Sequence, residues 1–222
     1  IEQVDKGYKL TLIQSDKLFP KKQVLIVPLV VVAAGALGSA KLLHSVRAKG
    51  NLSGISRKLG ELSRTNSESL LGVVAKSKDI DFSSGSAITS SVFPDEDTHI
   101  EPVRYGRGSG FMGLLQSVVA SGPKGQAPNI LRLLWVTLKN FPKLPNFYNL
   151  RSWPERTLIL LVMQSRDNSL TTFWKRRLTS RQGHGEKNPA WVPMGHTVAR
   201  QIASDVNGTP GAVVGEPFGI PL

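Results

Sequence analysis

Glu101 is the carboxylate of this sequence that is best placed for acid–base chemistry. It stands in the run His-Ile-Glu-Pro at residues 99–102, where polar and apolar residues alternate as in a half-buried strand. Burial among apolar neighbours can bring a carboxyl group toward the neutral pKa that proton transfer requires. The alternative is an ion pair between Glu101 and Arg104 or Arg107, which would give the carboxylate only a structural role.

Asn66 is a second candidate, in the polar run Arg-Thr-Asn-Ser-Glu at residues 64–68. The amide of an asparagine can orient an alcohol or a neighbouring catalytic side chain by hydrogen bonding, and Glu68 lies two residues away. The same run also favours an Asx or Ser turn, in which Asn66 would serve only the local backbone. The residues alone leave both interpretations open.

Ala34, Gly35 and Leu37 lie in a small-residue turn between three consecutive valines, residues 30–32, and a predicted helix. Three adjacent valines are typical of a strand covered on both faces, and small residues let another group approach the backbone closely. Free N–H groups at a strand-to-helix turn can face phosphate. The turn is therefore a candidate cofactor site, with close packing of two elements as the alternative.

The composition excludes several other kinds of site. The sequence has no cysteine, which rules out disulfides, thiolate metal ligands and cysteine nucleophiles. Its four histidines lack the His-Glu-x-x-His spacing of a metal site, so no metal is predicted. The net charge of +12 favours anionic partners such as lipid headgroups, nucleic acid or phosphate-bearing cofactors.

Three segments bear on membranes and nucleic acids. Residues 24–40 are almost continuously apolar, but they fall short of the roughly 20 residues that span a bilayer. Residues 130–148 mix aromatic and basic side chains, which suits peripheral contact with a membrane, core packing being the alternative. The basic and aromatic residues 173–181 belong to no recognisable nucleic-acid module, so nucleic acid is not an expected partner.

The elements that must position these residues follow from periodicity and turn signals. Strands are predicted at residues 8–14, 24–32, 70–74, 87–92, 99–105 and 157–164, and helices at 39–49, 111–120, 130–141 and 188–206, with a loop and a short helix over 51–66. Asn188 is the expected N-cap of the last helix and Pro189 its first residue. Strands this far apart predict a mixed sheet with insertions.

One long segment carries a family resemblance. VVVAAGALGSAKLLHSVRAKGNL, residues 30–52, resembles the part of the glucose–methanol–choline (GMC) flavin oxidoreductases in which the chain returns to the FAD-binding domain. The resemblance continues through RTNSESLLG, SSGSAITSSVFPDEDTHIEPVRYGRGSGFMGLL, SWPERTLILLVMQSRDNSL and RLTSRQGHGEKNPAWVPMGH. These segments cover nearly the whole chain in order, and they are most similar to the bacterial cholesterol oxidase branch of the family.

The resemblance implies an α+β (mixed α/β) fold. Residues 1–70 would form part of an FAD-binding domain, and residues 71–222 a steroid-binding substrate domain with a mostly antiparallel sheet flanked by helices. The implied cofactor is FAD at Ala34, Gly35 and Leu37, and the implied substrate is a sterol oxidised at its CH–OH group. Glu101 would move protons during double-bond isomerisation, and Asn66 would lie near flavin and substrate. A bacterial location, cytoplasmic or membrane-peripheral, is implied as well.

Two parts of the family pattern are missing from the sequence. The G-x-G-x-x-G fingerprint that cradles the FAD pyrophosphate is absent, and the resemblance stops before the family's catalytic His and Asn. Together with the start at Ile1 and the apolar end at residues 218–222, this predicts part of a longer protein that neither retains FAD tightly nor turns over a sterol alone. A complementary chain would then supply the missing parts. An inactive remnant of such an enzyme and a basic membrane-associating protein without flavin chemistry are the alternatives.

Overall fold

The computed structural model of the protein describes residues 1–122 and 126–220. Pro221 and Leu222, the end of the predicted apolar tail, lie outside the described residues. The strands are β1 (Glu2–Val4), β2 (Gly7–Ile13), β3 (Lys22–Val27), β4 (Ser69–Val74), β5 (Thr98–Val103), β6 (Gln116–Val118), β7 (Thr157–Gln164), β8 (Leu170–Lys175), β9 (Arg177–Gln182) and β10 (Thr209–Val213). The α-helices are α1 (Gly35–Ala48), α2 (Ile130–Lys139), α3 (Leu144–Phe147), α4 (Trp153–Arg156) and α5 (Pro193–Asp205). Short 3-10 helices cover Gly110–Leu115, Phe141–Lys143, Leu150–Ser152 and Glu216–Phe218.

The chain forms two compact units. The first contains Ile1–Arg64 and Asn168–Lys187, and the second contains Thr65–Asp167 and Asn188–Leu222. Every strand pair between the named strands is antiparallel, so the predicted α+β class with mostly antiparallel sheets is confirmed. The division into an FAD-binding domain over 1–70 and a substrate domain over 71–222 stays a prediction.

The first unit contains two small sheets and one helix. Strands β1, β2 and β3 form a three-stranded meander, and β8 pairs with β9 in a tight hairpin. Arg176 closes that hairpin with φ +64°, a conformation that few non-glycine residues adopt. Several apolar side chains of the meander face solvent, among them Ile26, which is 65% exposed. The unit therefore leaves much of its apolar surface uncovered by its own residues.

His44 links α1 to the hairpin within the first unit. Its ring is buried, and Nε2 lies 3.1 Å from Thr172 Oγ1, while Nδ1 has no hydrogen-bond partner among the described residues. Gly60 packs against the same point, since a Cβ there would come within 2.7 Å of His44 Nε2. Desolvation by burial, assisted by the positive charge of Arg47, lowers the pKa of His44 below its ordinary value of 6.5.

Acidification is expected to destabilise the first unit through His44. Below pH 6.5 the unfolded chain takes up a proton that the folded chain resists, so stability falls as the pH drops from 6.5 toward the lower folded pKa. Above pH 6.5 the contribution of His44 to the stability of the unit is fully present. Hydrogen exchange of α1 amides, measured from pH 8 to pH 5.5 and corrected for intrinsic rates, should show protection declining with acidity. His44→Gln should flatten this decline in protection, and His99→Gln, in the second unit, should leave it unchanged. Equal pH slopes of protection in the unaltered chain and in both variants would contradict the role of His44.

The second unit is built on a five-stranded antiparallel sheet in the order β5-β7-β4-β10-β6. Helix α5 packs on one face and buries side chains that alternate along the strands, including Leu71, Val73 and Val162. Gly195 lets the helix approach closely, because a Cβ at that position would lie 2.7 Å from Val162. Burying each such side chain contributes roughly 1.5–3 kcal/mol, so this face is the main core of the unit.

Two predictions about strands are wrong. The strand expected at residues 24–32 ends at Val27, and Val30, Val31 and Val32 adopt no regular structure. Pro28, which cannot donate to a ladder, interrupts the strand, and no strand among the described residues pairs with the three valines. Residues 87–92 form only the isolated bridges of Ile88 and Val92.

Three predictions about helices also need correction. The helix expected at 111–120 is a 3-10 turn followed by strand β6, because Gln116–Val118 pairs with β10. The last helix begins at Pro193 after Val192, so Asn188 and Pro189 lie outside it. The predicted short helix within residues 51–66 is replaced by turns. No helix of the described residues has both the length and the apolar character needed to cross a bilayer.

Candidate active site

The second unit has an apolar cavity on the face of its sheet opposite α5. Its volume is about 260 Å³. We call it the sheet cavity. Its lining residues are Leu70, Leu71, Gly72, Val103, Tyr105, Met112, Leu115, Gln116, Trp153, Thr157, Ile159, Leu161, Gly211, Ala212 and Val213.

Two glycines keep the centre of this sheet face bare. Gly72 on β4 and Gly211 on β10 are direct register partners, so neither strand places a side chain at this point. Trp153 and Tyr105 also line the cavity, with ring centroids 6.0 Å apart. A Cβ on Gly113 would come within 2.7 Å of the Trp153 ring, so the 3-10 helix Gly110–Leu115 lies tightly against the indole. The cavity exists because small residues on the strands face large residues on the connections.

Glu101 stands on the same sheet face as the cavity. It is the register partner of Leu161, which in turn is the partner of Leu70, and both leucines line the cavity. Side chains of directly paired residues project from the same face, so the Glu101 carboxylate lies at the edge of this apolar row. Its side chain is 25% exposed. An acid at the margin of an apolar cavity can exchange protons with a bound molecule.

His99 and not an arginine is the charged neighbour of Glu101. His99 Nε2 lies 3.4 Å from Glu101 Oε1, an ion pair only when the ring is protonated, and the contact lacks hydrogen-bond alignment. The ring stacks on Phe93 with centroids 4.5 Å apart. Arg104 instead donates to the Ser84 carbonyl, and Arg107 pairs with Asp81 and Glu155. The arginine pairing weighed from the sequence is therefore wrong.

Asn66 forms a local turn. Its Nδ2 donates to Glu68 Oε2 at 2.6 Å on the surface, and Ser67 between them has φ +46°. The Asn66 carbonyl accepts from the Gln164 amide at 3.2 Å, which ties the turn to the end of β7. Asn66 is not among the residues that line the sheet cavity. The local geometry matches the turn alternative, and a catalytic role for Asn66 stays a prediction.

The turn with Ala34, Gly35 and Leu37 forms the N-terminus of α1 in the first unit. Ala34 is the N-cap, its side chain makes no cap, and the first turn of the helix contains no acidic residue. Gly35 has φ +68°, and a Cβ there would meet nothing within 4 Å, while Leu37 is 77% exposed. Open N–H groups at a helix N-terminus without carboxylates suit an anionic group. The residues therefore fit a phosphate of a nucleotide cofactor.

A buried polar network was not visible in the sequence. His196 on α5 is hydrogen-bonded through Nδ1 to Ser121 Oγ at 2.6 Å and through Nε2 to Glu216 Oε2 at 2.9 Å. Arg200 donates to both oxygens of Ser121, and desolvation lowers the pKa of its guanidinium while Glu216 opposes that shift. Ser, His and Glu in this order resemble a nucleophile relay. However, the Gly122 amide that could stabilise an oxyanion already donates to the Gln126 carbonyl, so we interpret the network as structural.

Sequence reasoning missed most residues of the sheet cavity. Gly72, Tyr105, Trp153 and Gly211 come from separate elements, and none has a local pattern that marks it as ligand-binding. The one available signal was the period-two alternation around Glu101, which distinguishes the cavity face from the α5 face. No group of three or more His, Asp or Glu side chains within residues 1–122 and 126–220 is placed to hold a metal ion.

Fold and cavity together define an α+β domain with an apolar cavity on one face of an antiparallel sheet. No protein-family model matches the chain. Over 203 residues it is 48% identical to a cholesterol oxidase of Mycobacterium tuberculosis, in strains CDC 1551 and H37Rv. The matched region covers 86% of this chain and 35% of that protein. It is 36% identical over 223 residues to a cholesterol oxidase of Acinetobacter baumannii, which covers 97% of this chain and 40% of that protein.

The predicted resemblance is thus confirmed. Over the part that it spans, the chain is similar to bacterial cholesterol oxidases. It spans between about a third and two fifths of the length of the relatives that it matches.

Proposed function

We propose that the chain supplies the sterol-binding part of an FAD-dependent oxidoreductase that oxidises the 3β-hydroxyl of cholesterol or a related sterol and then isomerises the product. The observation that carries the proposal is the apolar sheet cavity with Glu101 on the same face. Its volume of about 260 Å³ is just below the range of roughly 300–1,000 Å³ common for small-molecule pockets. We therefore expect it to take up part of the sterol and not the whole molecule.

Glu101 is the proton carrier of this proposal. Oxidation at C3 leaves a ketone, which makes the hydrogens on C4 acidic. Glu101 would take a proton from C4 as the double bond shifts from C5–C6 to C4–C5, and would return the proton to C6, so that atoms and charge balance. The apolar lining of the sheet cavity would exclude water, which would otherwise exchange that proton.

FAD belongs to the proposal as the cofactor, and when bound it accepts the hydride of the alcohol carbon. The backbone N–H groups that follow Ala34, from Gly35 to Leu37, would hold one of its phosphates at the start of α1. Residues outside this sequence, in the same polypeptide or in a complementary chain, would supply the remainder of the flavin site. The proposal also includes a bacterial location in the cytoplasm or at the membrane surface, with peripheral membrane contact, because the substrate is a membrane lipid.

Filling the floor of the sheet cavity is expected to weaken sterol binding by the isolated chain. Gly72→Val adds an isopropyl group where β4 pairs with β10, and its Cβ needs only a small adjustment of the Leu158 carbonyl, 3.2 Å away. A misfit of this size in an apolar pocket is worth about 10- to 200-fold. Dehydroergosterol can report the affinity through energy transfer from Trp153 in the lining.

The matched control is Gly106→Val, where a Cβ meets nothing within 4 Å. It should leave the sterol affinity within about twofold, the range of surface substitutions. Absence of sterol binding by the unaltered chain, or equal affinity in the two valine variants, would contradict the assignment of the sheet cavity.

A further inference from the structure

Helix α2 presents an apolar face to solvent. Leu131, Leu134 and Leu138 are 76%, 62% and 75% exposed, and they follow the i, i+3, i+7 spacing of one helix face. The opposite side of α2 is already used, because Leu133 and Val136 pack against the cluster around Phe147. A helix that packs inward and is also apolar outward is unusual for a surface element in water.

A cavity rich in cations lies beside this face. It measures about 350 Å³, and its lining includes Lys139, Lys143 and Arg200 but no carboxylate. We call it the basic cavity. No ion pair joins any of the three cations to an acidic residue in the part of the chain that the structure describes. Lys139 lies 5.1 Å above the Trp135 ring, and Arg200 donates to Ser121.

Trp135 connects the two features. It is 61% exposed on α2, and it lines both the basic cavity and a neighbouring cavity that contains Arg132. Positive charge and exposed apolar surface therefore meet along one helix. A molecule with an anionic head and an apolar body would complement both features. The net charge of +12 likewise favours an anionic partner.

We propose that α2 docks on a bilayer containing acidic phospholipid, with the lipid phosphate in the basic cavity and Leu131, Leu134 and Leu138 among the acyl chains. The proposal deepens the membrane contact of the proposed function and is independent of its redox chemistry. Lys139 and Lys143 hold the phosphate, and Arg200, anchored to Ser121, forms the inner wall of the cavity.

The test is sedimentation of the chain with sterol-free vesicles at 150 mM salt, either pure phosphatidylcholine or phosphatidylcholine with 30% phosphatidylglycerol. Binding to the acidic vesicles should shift Trp135 emission to the blue. Lys139→Gln/Lys143→Gln should weaken this binding about 30-fold, since each lysine near an anionic surface contributes about fivefold. Lys76→Gln/Lys78→Gln removes the same charge from an exposed loop of the same unit and should weaken it less than about threefold.

Several results would overturn the proposal. Equal losses in the two lysine pairs would mean diffuse attraction, and equal binding to both vesicle types would exclude a headgroup site. Binding of inorganic phosphate that needs Lys139 and Lys143, without vesicle binding, would mean a soluble ligand. Self-association that Leu134→Gln abolishes, again without vesicle binding, would mean a protein interface. Because the vesicles contain no sterol, failure here leaves the sterol-binding result standing as a separate test.

Discussion

Glu101→Gln is expected to slow isomerisation by about 10²- to 10⁴-fold, the usual contribution of a positioned general acid–base group. The assay uses a chimaera in which this chain replaces the matching segment of the Mycobacterium tuberculosis cholesterol oxidase. Glutamine keeps the size of the side chain at the edge of the sheet cavity but cannot carry the proton from C4 to C6. The ketone should therefore accumulate with its double bond still at C5–C6, which chromatography and ultraviolet absorbance distinguish from the conjugated product.

Glu96→Gln is the matched control for this experiment. Glu96 is exposed on the loop before β5, five residues from Glu101, and its replacement by glutamine removes the same charge. Its chimaera should isomerise at the rate of the unaltered chimaera. An unchanged product ratio in Glu101→Gln would assign proton transfer to another group, while an inactive unaltered chimaera would count against the proposed function itself.

His196→Leu is expected to destabilise the second unit by about 1–3 kcal/mol, the usual cost of leaving a buried hydrogen-bonding group without its partner. His196 and Glu216 are each 1% exposed, and Glu216 Oε1 already has no hydrogen-bond partner among the described residues. Without the imidazole, Glu216 Oε2 still accepts from Ser69 Oγ at 3.4 Å. Urea denaturation followed by fluorescence reports the loss, since Trp191 lies against the His196 ring with centroids 5.4 Å apart.

The double variant His196→Leu/Glu216→Leu separates the cost of an unsatisfied buried polar group from a loss of packing. Replacing both partners by apolar residues removes the unsatisfied carboxyl group, so the double variant should be more stable than His196→Leu alone. Additive losses in the two single variants and the double variant would mean that His196 and Glu216 contribute independently, contrary to the hydrogen bond at 2.9 Å.

Strands with an uninterrupted apolar pattern could be predicted closely from the sequence. The sequence predicts the strands at residues 70–74 and 157–164 almost to the residue. Both β4 and β7 lie inside the sheet, and their apolar composition indicates this burial. Residues 116–118 were expected in a helix. Their strand state depends on pairing with β10, almost a hundred residues away, and no local signal contains that information.

The candidate site is likewise only partly predictable from the sequence. Glu101 could be recognised from alternation within one strand, whereas the sheet cavity depends on Gly72 and Gly211 becoming register partners. The sequence indicates only that His196 falls within the last predicted helix, residues 188–206, because Ser121 and Glu216 reach it from 75 and 20 residues away. Local pattern predicts which face of an element is buried. It does not predict which distant side chains share that face.

The position of the β8–β9 hairpin has a consequence for synthesis of the protein. The hairpin belongs to the same unit as α1, yet Thr172 follows its partner His44 by 128 residues. At about 5–20 residues per second, a ribosome needs roughly 6–25 s to deliver this last piece after the helix has emerged. During that interval α1 is exposed without the hairpin that packs on it, and a chaperone that shields the helix would raise the yield of native protein.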